Sequence, residues 1–192
     1  TAELPPQKRD PALGLRVLST LATAHGRAYR ILKPYGGRVG MIYFFSLCRS
    51  AGNLLDDFVT TQFDRLFNWD LLDALYNGLL HVAVTGVPGL DAALPEAKGT
   101  LDWLGINYYY REVIRFNPKA QGLVQRSPAP GSTLTDMGWE IYPQGIYELC
   151  KRVAKRYHGV ELIITENGIA DADDRQRPRF ILDHLAWVRR LL

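Results

Sequence analysis

The eight residues Glu161-Leu162-Ile163-Ile164-Thr165-Glu166-Asn167-Gly168 settle what kind of fold this chain can have. An apolar run rich in Leu and Ile reads as a fully buried parallel strand. It ends in a carboxylate, and the Asn-Gly pair behind it predicts a turn. Burying a carboxylate is costly, so Glu166 is expected to project from the C-terminal end of the strand into a mouth. In barrel enzymes that end carries the active site. Taken alone, the same residues also fit a solvated glutamate leading into a turn. The rest of the chain has to decide.

Just before this strand, Pro143 opens a helix with Ile146, Leu149, Cys150, Val153, Ala154 and Tyr157 on one stripe. After it, a last helix from Pro178 carries Phe180, Ile181, Leu185, Val188 and Leu192. Toward the N-terminus, residues 101–108 (LDWLGINY) read as a second buried strand. Between strand and helix, residues 115–138 read as a long polar loop with Pro118, Pro128, Pro130 and Gly131; a lid or wall is the usual role at that length. Further back, residues 38–47 (RVGMIYFFSL) form an aromatic-rich strand, and residues 54–77 a helix. That helix is expected to turn Phe58, Phe63, Leu66, Phe67 and Leu71 to a core and to stop at Gly78. Residues 79–99, with Pro88-Gly89 and Leu94-Pro95, read as a loop. The first helix, around residues 11–33, carries Leu13, Val17, Leu21, Ala24 and Ala28 and is stopped by Lys33-Pro34 and Gly36-Gly37. The order α-β-α-β-α-β-α predicts a parallel sheet with right-handed crossovers. With no linker, repeat or low-complexity tract, residues 1–192 read as one domain.

Composition narrows the functions. At 192 residues the chain is long enough to bury a core. A net charge of +3 without a basic cluster gives nucleic acid no footprint. No apolar run approaches a membrane span, and nothing at the start resembles a signal peptide. Cys48 and Cys150 sit in apolar segments without metal-ligand spacing, which predicts buried free thiols in a reducing compartment. Together with the lack of an Asn-x-Ser/Thr sequon, this points to the cytoplasm. No metal and no cofactor are expected, and no Gly-rich phosphate loop follows any strand, which disfavours a flavodoxin-like protein. A start at Thr1 rather than Met implies trimming, processing or an incomplete chain.

The chemistry concentrates at the strand ends. Alternate strand residues share a face, so Asn107 and Tyr109 point the same way. A phenol beside a carboxylate donates a hydrogen bond and favours its ionised form, which a nucleophile needs. Tyr108 to Tyr110 also fit as plain strand aromatics. Trp139, where the long loop meets a helix, suits stacking on a sugar ring and equally suits packing.

Together the stretches LDWLGINYYYREV (101–113), MGWEIYPQGIYELCKRVAKRY (137–157) and ELIITENGIA (161–170) resemble glycoside hydrolase family 1, the β-glucosidase family. LPPQKRD (4–10), the Ala24–Ala28 helix segment and RVGMIYFF (38–45) look like the same family. The resemblance implies an α/β fold, part of a (β/α)8 TIM-type barrel comprising about strands 5–7 with helices 4–7. It implies that Glu166 matches the catalytic nucleophile and Tyr109 the tyrosine that hydrogen-bonds it. Asn107 matches the asparagine beside the sugar site, and Trp139 the tryptophan lining the aglycone side. The implied reaction is hydrolysis of a β-linked glycoside with retention.

Retention needs a second carboxyl group. The family places it in an Asn-Glu-Pro motif, which this sequence lacks. Leu4-Pro5-Pro6 and Lys8-Arg9-Asp10 match the family's loop just after that motif, and the eighth-strand segment is absent as well. Glu112, Glu140 and His25 are the replacements to weigh, and none is expected to face Glu166. Three strands would leave one sheet face open, with Met41, Tyr43 and Phe45 or their alternates, Trp103, and Ile163 or Ile164 forming an apolar surface. Self-association, or complementation by an N-terminal fragment, is the expectation. The competing reading is an inactive partial barrel that oligomerises or binds sugar.

Overall fold

The computed structural model describes residues 10–83, 85 and 89–192, with Gln121 described by its backbone only. Residues 4–9 and Pro88, named above, therefore lie outside the described residues. In chain order the elements are α1 (Pro11–Leu32), β1 (Gly40–Ser50), α2 (Leu54–Asp64), a π-helical turn (Arg65–Trp69) and α3 (Asp70–Asn77). Then come β2 (Leu79–Val82), β3 (Leu90–Ala93), β4 (Trp103–Phe116), β5 (Val124–Ser127), α4 (Gln144–Arg156), β6 (Glu161–Glu166) and α5 (Arg177–Val188). The chain divides into two compact units: one holds the residues up to Gly37 and Trp69–Thr100, the other Arg38–Asn68 and Leu101–Leu192.

In the first unit, Asp10 caps α1 by accepting from the Leu13 amide at 3.0 Å, with Pro11 at the first helical position. Gly26 lets α1 lie directly on the Glu96 backbone, and Arg27 pairs with Glu96 at 2.8 Å. The expected loop over residues 79–99 is in part an antiparallel hairpin, Leu79 opposite Ala93 and Val82 opposite Leu90. Leu80 and Val82 are buried while Leu79 and His81 are exposed. That two-residue period is too short, at four residues, to stand out between Gly78 and the prolines.

The second unit carries the parallel sheet. β4 is its centre, with β1 parallel along one edge, Gly40 opposite Trp103 through Ser50 opposite Ile114. The other edge pairs first with β6, in parallel over Trp103–Asn107, and then with β5, antiparallel over Val113–Phe116. β4 thus runs eight residues past Tyr108, the residue at which the sequence reading stops it. The last residues of this extension, with β5, form a hairpin that reaches into residues 115–138, which the sequence reading takes as a long polar loop. The extension is anchored because the Asp56 carboxylate accepts the Phe116 amide at 2.7 Å, above a cluster of Cys48, Val59 and Ile114. The expected 54–77 helix is interrupted by the π turn, and Phe58 is 52% exposed rather than in a core.

Side-chain alternation sorts the sheet into two faces. Leu104, Ile106 and Tyr108 are fully buried on the helix side. There the Tyr108 hydroxyl donates to the Tyr142 carbonyl at 2.7 Å, and its ring lies near His184 of α5. α4 and the residue that follows it close this face with Ile146, Leu149, Cys150, Val153 and Tyr157, all buried, whereas Ala154 of the predicted stripe is exposed at its edge; burial of each such aliphatic side chain contributes about 1.5–3 kcal/mol. On the opposite face, Ile42 and Ile163 are 52% and 40% exposed. The open apolar face therefore uses the alternates of Met41, Tyr43 and Phe45, and Phe45 itself is fully buried.

The seam between β4 and α4 depends on Gly145, where any Cβ would overlap the Tyr108 hydroxyl and lie 2.9 Å from Tyr142 Cδ1. Overpacking of this kind costs typically about 1–3 kcal/mol. Gly145→Ala is expected to lower the urea midpoint by that equivalent without changing the slope, and an unchanged midpoint would show that the seam is loose.

Candidate functional site

The site is assembled where two irregularities flank the same stretch of β4. Between β4 and β6 the register slips: Ile106 lies opposite Ile164, but Asn107 lies opposite Glu166. Thr165 is the extra residue, a bulge of the kind that re-aims side chains beside functional sites. On the other edge, Phe45 lies opposite Tyr108 and Leu47 opposite Arg111, so here β4 carries the extra residue. The consequence is chemical. An unbulged β6 would put Thr165 and Glu166 on opposite faces. With the bulge, both side chains bond residues on the open face of β4.

Tyr109 donates its phenolic hydrogen to Glu166 Oε2, and the Thr165 hydroxyl donates to Asn107 Oδ1 at 2.6 Å. Asn167 does not begin a tight turn as its pairing with Gly168 suggests. Its side-chain amide donates to the Tyr108 carbonyl at 2.8 Å, which ties the residue after Glu166 to the neighbouring strand. Glu166 itself is exposed and Asn107 buried. The ring of Trp139 stacks at a tilt on Tyr110 at 4.6 Å and reaches Tyr109 at 5.8 Å, with Phe44 5.9 Å from both tyrosines. The four positions singled out from sequence (Glu166, Tyr109, Asn107 and Trp139) therefore converge. Thr165, Asn167 and Phe44 are the members that sequence reading passes over.

The loop that carries Trp139 is held by a buried ion pair. Arg111 grips the Glu140 carboxylate with two donors, Nε at 3.0 Å and Nη2, and its guanidinium lies 3.9 Å over the Tyr142 ring. Both groups are mostly buried, so the pair fixes geometry more than it adds stability. The same contacts decide the question of a replacement acid. Glu140 is committed to Arg111. Glu112 accepts from Ser46 Oγ at 2.8 Å and pairs with Arg126 at 3.5 Å. His25 belongs to the first unit, where its Nε2 bonds the Thr100 carbonyl at 2.8 Å. After β6, Asp171 accepts from the Gln176 and Arg177 amides at 2.8 and 2.9 Å and caps α5.

The Tyr109 phenol is pushed up to about 12, first by its bond to Glu166, then by burial and the nearby charge. It stays protonated through neutral pH and acts as a donor to the carboxylate, leaving the second carboxylate oxygen for other work. Because the folded value lies above the unfolded one near 10, the bond's stabilising contribution is complete below about pH 10 and fades as pH climbs through about 12. In a spectrophotometric titration, Glu166→Ala is expected to bring one phenol down from about 12 toward 10. A titration curve identical to that of the unsubstituted protein would show that the two groups do not interact.

Comparison with known proteins shows what the chain as a whole is similar to. The sequence model of "Glycosyl hydrolase family 1" matches residues 1–191. A β-galactosidase of Saccharolobus solfataricus is 32% identical over 98% of this chain and 39% of its own length. β-Glucosidase A of Thermotoga maritima is 31% identical over 95% of this chain and 45% of its own. The solved structure of a β-glycosidase from Pyrococcus horikoshii superposes with a TM-score of 0.84 at 34% identity, covering 99% of this chain and 43% of that one. The chain thus spans less than half the length of these relatives, and its parallel β–α units form part of a (β/α)8 barrel. By sequence and by structure, the chain belongs to glycosyl hydrolase family 1.

Proposed function

We propose that this chain carries the nucleophile half of a retaining β-glycosidase site, acting on β-linked glycosides. The observation that carries the proposal is the Tyr109–Glu166 pair at the C-terminal end of β6. It supplies an exposed carboxylate, a phenol that donates a hydrogen bond to one of its oxygens, and an aromatic wall around Trp139. In this reading Glu166 attacks the anomeric carbon, the leaving-group oxygen departs, and water releases the sugar from the glycosyl-enzyme with net retention. Tyr109 orients the nucleophile. Asn107 and Trp139 bind the sugar and the aglycone side. The names of the relatives, a β-galactosidase and a β-glucosidase among them, support the substrate class without choosing one sugar.

Retaining hydrolysis places an acid/base carboxyl group about 5–5.5 Å from the nucleophile. Glu112 and Glu140 are committed elsewhere, so we assign that role to a part of the barrel outside these 192 residues. Without it, natural glycosides should turn over about 10²–10⁴-fold more slowly, whereas a substrate with a good leaving group needs little acid help. We further propose that residues 1–192 belong to one barrel domain and that its open face, with Ile42 and Ile163, is covered by an N-terminal portion of such a barrel or by a second copy. The proposed setting is the cytoplasm, supported by two buried thiols that form no disulfide. Burial holds Cys48 at about 12 and Cys150 at about 11. Among the described residues no helix is long and apolar enough to cross a membrane.

Covalent trapping tests the reading. Incubation with a 2-deoxy-2-fluoro glycoside bearing a good leaving group is expected to add one sugar mass, located by peptide mapping on Glu166 and lost in Glu166→Gln. Tyr109→Phe is expected to slow labelling roughly tenfold, the equivalent of one hydrogen bond to a charged group. No label at long incubation, or a label elsewhere, favours the reading that the open sheet serves association or sugar binding instead.

A further inference from the structure

We propose that Thr165 is a positioning residue whose hydroxyl sets the orientation of the Asn107 amide. Three observations meet at this side chain. Thr165 is the extra residue of the β6 bulge and shares the open face with Glu166. Its hydroxyl donates to Asn107 Oδ1 at 2.6 Å. The space it occupies exists because residue 105 is glycine: a Cβ there would lie 2.9 Å from Thr165 Oγ1 and 3.0 Å from Cγ2. Backbone and side chain together therefore hold the hydroxyl against the amide.

The consequence follows from amide chemistry. An Asn side chain offers two donors on one side and an acceptor on the other, and its two orientations differ by a half-turn. With Oδ1 engaged by Thr165, the NH2 group is turned away from Thr165. Asn107 then presents donors, not an acceptor, to a sugar hydroxyl. The hydroxyl of Thr165 can donate only one hydrogen, so an acceptor in the reverse orientation would have to come from its lone pairs, and the NH2 would be spent inward. Asn107 is 8% exposed, and an unbonded buried acceptor is costly, which favours keeping the hydroxyl in place. Thr165 touches no substrate in this scheme and acts through Asn107.

This inference rests on the glycosidase reading for its effect on sugar binding, but not for the contact itself, and the experiment separates the two. The concentration of 2-deoxy-2-fluoro glycoside that half-saturates labelling is compared among the unsubstituted protein, Thr165→Val and Thr165→Ser. Thr165→Val is expected to raise it about threefold to tenfold, the equivalent of one neutral hydrogen bond, with the limiting labelling rate unchanged. Thr165→Ser is expected to keep the original value. Any other ranking overturns the proposal; in particular, normal binding by the valine variant with weakened binding by the serine variant would mean that the methyl group packs on Gly105 and the hydroxyl is idle. In parallel, the Asn107 side-chain amide resonances, identified by their loss in Asn107→Ala, are expected to move in Thr165→Val and stay in Thr165→Ser. Should the valine variant not fold, Thr165→Ser and Thr165→Ala differ by the hydroxyl alone and decide the same question. A protein that takes no label yet shows this resonance pattern refutes the glycosidase reading and upholds the positioning role. A labelled protein whose amide resonances ignore residue 165 does the reverse.

Discussion

The hydrogen bond from Tyr109 to Glu166 is the interaction on which the functional architecture depends, and it exists only because β6 carries one residue too many. Ile106 opposite Ile164 and Asn107 opposite Glu166 leave Thr165 without a partner in the register. The slip brings the carboxylate to the same face as the phenol two residues along β4. A regular strand would have sent one of Thr165 and Glu166 to the helix side, where a carboxylate among Leu104, Ile106 and Tyr108 would be costly. The bulge thus converts an apolar strand into a carrier for charge at its end.

The rest of the second unit stabilises this arrangement from behind. The helix face of β4 is buried, and the Tyr108 hydroxyl is fixed to the Tyr142 carbonyl over Gly145. Arg111 and Glu140 pin the segment bearing Trp139 to the end of β4, so that the indole meets Tyr110 and Tyr109. Asn68 serves the other edge: it accepts the Ser46 amide at 3.0 Å and donates to the Ser46 carbonyl at 2.8 Å, satisfying the backbone of β1 where its register also slips. Rigidity on one face and openness on the other are what a site built on strand ends requires.

Much of this is legible in the residues. The stripe of α4, the strands β1, β4 and β6, and the carboxylate after Thr165 follow from periodicity and burial cost, although β6 reads as fully buried and none of its residues is, because among the described residues only β4 pairs with it. So does the convergence of Asn107 and Tyr109 on one face. The misses have physical causes. Alternation assumes two residues per repeat, so it cannot see a bulge, and by that rule Thr165 is only strand filler. The β4–β5 hairpin escapes because Tyr110 to Phe116 mixes charges with β-formers, and its pairing is tertiary rather than local. Brevity hides the β2–β3 hairpin. Helical spacing alone sends Phe58 to a core, although the π turn at Arg65–Trp69 breaks the phase of that helix.

A double-mutant cycle on Tyr109 and Glu166 tests the central claim most directly. Unfolding free energies are measured for Tyr109→Phe, Glu166→Gln and the pair together. A bond between a phenol and a partly solvated carboxylate predicts that the two changes fail to add by about 0.5–1.5 kcal/mol, the double variant losing less than the sum. Additivity within about 0.3 kcal/mol would mean that the two side chains do not meet, and that the bulge does not place Glu166 where its proposed chemistry requires.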